Sequence, residues 1–206
     1  MKGRALERYG HKPEPGIEGQ PDREQALRAD AQRNHTALIE AAVQVFRDMG
    51  VDAPMKDIAE KADVGVGTVY RRFPKRSDLI IAVFRHEVDA CAAAADAIAA
   101  DHASFDALLR WIDRYVELIV TKRGLAAALH SDEPAYESLA EYFEDTLVPP
   151  LTALLSFARD EIKVEVSPSE LLRAVGRLCG PASQGDFSQT QRMVALLING
   201  LRVPGP

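Results

Sequence analysis

The chain has 206 residues and is 47% hydrophobic, enough to build a core in one or two domains. Its 25 basic and 31 acidic residues leave a net charge of −6, which excludes a protein that coats nucleic acid with its whole surface. The first 30 residues hold no apolar run of the kind a secretory leader needs, and no window approaches 18 uncharged apolar residues, so neither a leader nor a membrane span is expected and a cytoplasmic location is read.

The charge is uneven. Through residue 86 there are 15 basic and 13 acidic side chains; beyond it there are 10 and 18. A mildly basic N-terminal part joined to an acidic C-terminal part points to two tasks on one chain. The two cysteines, Cys91 and Cys179, are far apart on helical patterns and read as free, buried thiols rather than a disulfide.

Residues 1–28 mix Gly3, Gly10, Pro13, Pro15, Gly16, Gly19 and Pro21 with charges, a composition that buries no core and predicts a flexible arm. Its Arg4, Arg8, Lys12, Arg23 and Arg28 read more readily as a solvated tail than as phosphate ligands. From Asp30 onward the pattern is helical. Ala37, Leu38, Ala41, Ala42, Val45 and Phe46 form one stripe, so a helix is expected over 30–49, stopped by Gly50. Pro54 opens a short helix at 54–62 with Ile58, Ala59 and Ala62 as its apolar face, and Asp63, tolerant of a left-handed backbone, ends it.

A third helix is expected over 66–72, then Pro74 as a stop and a long Ala-rich helix over 76–100. Further helical patterns cover 104–122, 124–130, 134–160, 168–179 and 187–202, and the Pro149–Pro150 pair is expected to kink or split the 134–160 segment. Lys163–Val166 alternates over four residues only, too short to count as a strand. The fold class is all-α, with a domain boundary near the start of the long helix: residues 29–75, then 76–206.

Two short helices joined by the turn 63–65 make a helix-turn-helix layout. Gly65 would let the chain reverse without a clash. Val64, Val69 and Phe73 would pack against Ile58, Ala59 and Ala62, leaving Val66, Gly67, Thr68, Tyr70, Arg71 and Arg72 around the outer face of the second helix. Such a helix enters the major groove of DNA with its N-terminal residues toward the bases. Gly67 would admit close backbone approach, Thr68 and Tyr70 offer hydroxyls to phosphate, Val66 meets a thymine methyl, and the two arginines pair with phosphate or guanine. Lys75 and Arg76 add charge at the start of the next helix.

The segment 33–84 resembles the TetR-type DNA-binding domain. The residues that carry the likeness are Ala41-Ala42, Phe46 and Gly50, then Ile58-Ala59, Gly67-Thr68-Val69-Tyr70, and Phe73-Pro74 with Arg76 and Leu79. The segment 111–132 is more weakly similar to the SbtR-like branch of that family. The resemblance implies that Lys56, Val66, Gly67, Thr68, Tyr70, Arg71, Arg72 and Arg76 contact double-stranded DNA, and Lys75 joins them on its charge beside the N–H groups of the next helix. The chain departs from the family pattern at Pro54, Met55, Asp63, Gly65 and Lys75, several of which replace hydroxyl or capping residues.

The resemblance further implies a homodimer on a palindromic operator, acting as a ligand-responsive repressor. The last two helices would pair with their copies through Leu171, Leu172, Val175, Leu178, Val194, Leu197, Ile198 and Leu201. A small apolar effector would lie among Phe105, Leu108, Trp111, Tyr115, Leu118, Leu129, Tyr136 and Phe143, although each of these taken singly reads first as core. No catalytic spacing occurs, the histidines are scattered, and no cofactor or metal is expected. Two other classes stay open in the sequence: a regulator governed by a protein partner, and a helical carrier or enzyme with a vestigial DNA head.

Overall fold

The computed structural model describes residues 20–121, 136–163, 165–179 and 187–202. The elements are α1 (Gln20–Met49), α2 (Met55–Lys61), α3 (Val66–Arg72), α4 (Arg76–Asp101), α5 (Ser104–Thr121), α6 (Glu137–Phe157), a 3-10 turn (Arg159–Glu161), α7 (Pro168–Leu178) and α8 (Phe187–Asn199). The described residues contain no strand. One antiparallel bridge joins Ile162 to Arg202, with the Lys163 N–H donating to the Leu201 carbonyl at 2.9 Å. The expected helix at 124–130 and residues 1–19 of the expected arm lie outside the described residues.

Helix α1 begins at Gln20, earlier than the arm expected through residue 28. Pro21 sits in its first turn, where a missing N–H costs little. The Glu, Gln, Ala and Arg residues that follow are good helix formers even without a buried face. Residues 28–34 are exposed, and Arg33 pairs with Asp30 one turn away.

From Leu38 onward one face of α1 is buried. Leu38, Ile39, Ala42, Val43 and Val45 form one apolar cluster with Ala53, Met55, Ile58, Ala59, Val69 and Phe73. Ala37, expected on this face, is exposed. Leu79 and Val83 of α4 belong to the same cluster, so this core continues past residue 75. The next turns of α4 (Ile80, Phe84, Val88, Cys91 and Ala95) join a second cluster built on α5, α6, α7 and α8. Helix α4 is thus the shared spine of both cores.

Helix α6 runs unbroken through Pro149 and Pro150, so the pair does not split it. The carbonyls that the two rings leave without a helical donor belong to Asp145, which is exposed, and Thr146, which is half-buried; on a solvated face water replaces the lost N–H at small cost. Glu161, in the 3-10 turn after α6, reaches the start of α5. Its Oε1 accepts from Ser104 Oγ at 2.6 Å and the Phe105 N–H at 3.3 Å, and its Oε2 accepts from Arg202 at 2.9 Å. One carboxylate therefore caps a helix N-terminus and anchors Arg202 beyond the end of α8.

Candidate nucleic-acid interface and sensor domain

The turn between α2 and α3 is built by hydrogen bonds rather than by its glycine. Helix α2 ends with the Val64 N–H on the Ala59 carbonyl and the Asp63 N–H on the Glu60 carbonyl, both near 3.0 Å (3.0 and 3.1 Å). This pairing places Asp63 in the left-handed region at φ 53°, as the sequence predicts. Gly65 has an ordinary extended backbone at φ −67°, and a Cβ there would meet nothing within 4 Å. The tight reversal expected at Gly65 therefore falls at Asp63 instead, because that residue carries the left-handed step.

Val69 is fully buried and Phe73 nearly so, which fixes the rotation of α3. Its outer face carries Val66 (43% exposed), Gly67, Tyr70 (52% exposed), Arg71 and Arg72, with Thr68 half-buried beside them. No acidic side chain lies in α3. A Cβ at Gly67 would also meet nothing within 4 Å, so no packing inside the protein requires glycine at that helical position. Lys56 of α2 is exposed, and Lys75 stands just ahead of α4, also exposed. The Lys75 N–H donates to Asp78 Oδ2 at 3.0 Å, and no Lys75 side-chain cap bond forms.

Arg76 stands at the start of α4, as expected, and has a contact inside the head as well. Its Nη1 donates to the carbonyls of Val51 and Ala53 at 2.6 and 2.8 Å. The guanidinium braces the α1–α2 connection, where Gly50 has turned the chain at φ 85° and left carbonyls without helical partners.

The aromatic residues expected to line an effector cavity are packed core. Phe105, Leu108, Trp111 and Tyr115 are buried. Trp111 Nε1–H donates to the Cys91 carbonyl at 2.9 Å, and the Tyr115 hydroxyl donates to the Leu172 carbonyl at 3.0 Å. Both polar ends are spent on backbone. The Trp111 and Tyr115 rings stack at 6.2 Å, and Phe143 lies against Tyr115 at 5.9 Å and Phe84 at 6.2 Å. Tyr136 is buried in the same cluster, Leu129 lies outside the described residues, and Leu118 borders a cleft. Burial pushes the Cys91 thiol up to about 12 and raises Tyr115 well above the usual phenol range, so both stay neutral. Cys91 and Cys179 are free and buried.

The residues expected to pair two copies face inward. Leu171, Leu172, Val175, Val194, Ile198 and Leu201 are buried within the protomer, and Leu178 and Leu197 are half-buried. The cause is amphipathic packing: α7 and α8 turn these residues onto α5 and α6. Besides Phe187 at its first residue, the large apolar side chains exposed on α8 are Met193 (47% exposed) and Leu196 (67% exposed), three residues apart and so on one face. Sequence reasoning missed both, since α8 carries apolar residues on two sides.

Among the described residues no helix is long and apolar enough to cross a membrane, and no group of three His, Cys, Asp or Glu is placed to hold a metal.

The comparisons with known proteins agree with this architecture. Residues 38–83 match the pattern of bacterial regulatory proteins of the tetR family, and residues 103–203 match the C-terminal domain of SbtR-like transcriptional regulators. A TetR transcriptional regulator from Streptomyces coelicolor superposes with a TM-score of 0.68 at 30% identity, over 82% of this chain and 99% of that one. A TetR regulatory protein from Mycobacterium vanbaalenii gives 0.64 at 29% identity, over 86% and 99%. An HTH-type transcriptional regulator of Staphylococcus aureus is 23% identical over 153 residues, 69% of this chain and 83% of its own length.

Proposed function

Because the chain belongs to the TetR family of transcriptional regulators, we propose that it binds a palindromic operator as a homodimer and represses until a small effector releases it. The observation that carries the DNA reading is the outer face of α3: Val66, Gly67, Tyr70, Arg71 and Arg72 exposed together, with Val69 and Phe73 locking the helix from behind. A groove-reading helix needs both a rigid inner face and a cationic, sterically open outer one. Lys56 and Lys75 extend the positive flank toward phosphate.

Two copies would meet through α8, with Met193 and Leu196 at the contact and the half-buried Leu197 and Leu178 at its margin. Exposed apolar side chains on a surface helix lose unfavourable hydration when a second copy covers them. The two α3 helices would then address successive major grooves of a two-fold symmetric site. Helix α4 supplies the mechanical link, because its residues enter both cores. Arg85 lies 4.8 Å above the Tyr142 ring, and the Tyr142 hydroxyl donates to Asp89, so α4 is also tied to α6. An effector that binds two positions of α4 unequally shifts the spacing of the heads.

The test is selection of the full-length protein on randomised duplex DNA at two salt concentrations. An enriched palindrome whose affinity falls steeply with salt is expected. Weak binding with no enriched sequence would remove the operator reading and leave the C-terminal part to be treated as a binding protein in its own right.

A further inference from the structure

A cleft of about 410 Å³ opens among α1, α4, α5 and α8, within the size range of small-molecule sites. Its walls include Arg47 of α1, Glu87 of α4, Arg114, Glu117 and Leu118 of α5, and Phe187 of α8. It is separate from the aromatic cluster of Trp111, Tyr115 and Phe143; of the residues expected around an effector, Leu118 alone borders it among those described.

The chemistry of the lining is specific. Neither Arg47 nor Arg114 forms a hydrogen bond or an ion pair with a carboxylate among the described residues. A guanidinium presents a planar fork of donors that matches a carboxylate with two parallel bonds. Two arginines in one cleft thus call for an anion. Glu87 and Glu117 also border the cleft, and neither lacks a partner, so the two arginines are the charged groups left for a guest, while the carboxylates beside them oppose a second negative charge on it. Leu118 and Phe187 give the guest an apolar wall. Phe187 stands one turn ahead of Thr190, Val194 and Ile198 on the inward side of α8, yet is exposed, because it borders the opening. Cys91 also borders it, with a neutral thiol that offers no nucleophile.

We propose that this cleft binds a small monocarboxylate with an apolar body, and that this guest is the effector. The second half rests on the reading of the chain as a DNA-binding regulator; the first half does not. The position explains the regulation. Arg47 lies in the last turn of α1, the helix whose buried face organises the DNA-binding core, while Arg114 projects from α5 in the other core. A carboxylate held by both arginines ties α1 to α5 and favours one disposition of the head over others.

The test uses titration calorimetry on the full-length protein with four matched probes: 3-phenylpropionate, 3-phenylpropanol, 3-phenylpropylamine and benzylsuccinate. The monocarboxylate is expected to bind at least about tenfold more tightly than the neutral, cationic and dianionic probes. Arg114→Gln and, separately, Arg47→Gln are expected to weaken it by about tenfold while circular dichroism and Tm stay unchanged, since neither side chain is paired among the described residues. Equal or tighter binding of any other probe, no binding of the monocarboxylate, or binding unchanged in both variants overturns the proposal. The monocarboxylate is then added to the protein on its selected duplex. Release or tightening of the DNA supports the effector role, and no change removes it. Binding of the monocarboxylate by a protein that selects no DNA sequence would keep the site and remove the regulator reading.

Discussion

Arg76 Nη1 donates to the Val51 carbonyl at 2.6 Å, across the connection between α1 and α2. The same nitrogen reaches the Ala53 carbonyl at 2.8 Å, so one guanidinium stabilises a turn 23–25 residues earlier in the chain. The residue that the family resemblance assigns to phosphate is a brace of the head. Arg76→Ala is expected to cost about 1–3 kcal/mol, the usual range for losing hydrogen bonds from a charged donor to partly buried carbonyls. Urea unfolding reads that loss. At a temperature where both proteins are folded, the salt dependence of DNA binding should be unchanged by the substitution; a slope shallower by about one would return Arg76 to phosphate.

Gly67 separates stability from function. A Cβ there meets nothing within 4 Å, and alanine is the better helix former by up to about 1 kcal/mol. Gly67→Ala should therefore raise Tm and at the same time weaken binding to the selected operator, because the methyl group would stand on the face proposed to approach the bases. A variant that gains stability and keeps full affinity would show that α3 does not approach DNA through Gly67.

Arg71 and Arg72 are adjacent on the exposed end of α3, and each makes a different contact if one faces a base and the other the backbone. Alanine at the phosphate-bound arginine should weaken all duplexes alike and reduce the salt slope by about one. Alanine at a base-reading arginine should cost about 1–3 kcal/mol and relax preference at one operator position. Affinity measured for each variant against the operator and a scrambled duplex distinguishes the two.

The two sides of α8 make opposite predictions. Leu196 is exposed and Ile198 is fully buried. Leu196→Glu should convert the proposed dimer to a folded monomer, seen as a halved mass by light scattering with unchanged helicity. Ile198→Ala should instead destabilise the protomer by about 2–5 kcal/mol through the cavity it leaves. If Leu196→Glu remained dimeric, the contact between copies would lie elsewhere.

Glu161 predicts a pH dependence. The Ser104 hydroxyl bond, followed by Arg202 and the Phe105 N–H, holds its carboxyl below the usual carboxylate value. A lowered pKa in the folded state means that the carboxylate stabilises the protein fully above its unfolded pKa and that this stabilisation is lost as pH falls through the folded value. The Tm difference between the parent protein and Glu161→Gln should be largest at neutral pH and shrink below about pH 4.5, the ordinary range for glutamate. A difference constant from neutral to acid pH would mean that the bonds do not depend on charge.

Much of the head was legible in the order of residues. Gly50 after an apolar stripe, Asp63 after Ala62, and Val69 with Phe73 four residues on carry their conformations locally: a left-handed stop, a left-handed turn and one helical face. These features depend on backbone sterics and on the 3.6-residue period, both written in adjacent residues. That is why the layout of α2 and α3 and the outer face of α3 follow from the chain alone.

What the tertiary structure decided is which surface covers each apolar face. Val194 and Ile198 lie on one side of α8 and the pair Met193 and Leu196 on another, and periodicity does not say which side meets the protomer's own core. Trp111 and Tyr115 read singly as core and together as cavity wall, and only the fold shows the Cys91 and Leu172 carbonyls taking their polar hydrogens. Arg76 reads from its charge and resemblance as a phosphate ligand, and only the fold shows that Val51 and Ala53 also come within reach of its Nη1. In each case the local chemistry names a group that needs a partner, and only the path of the remaining chain supplies one.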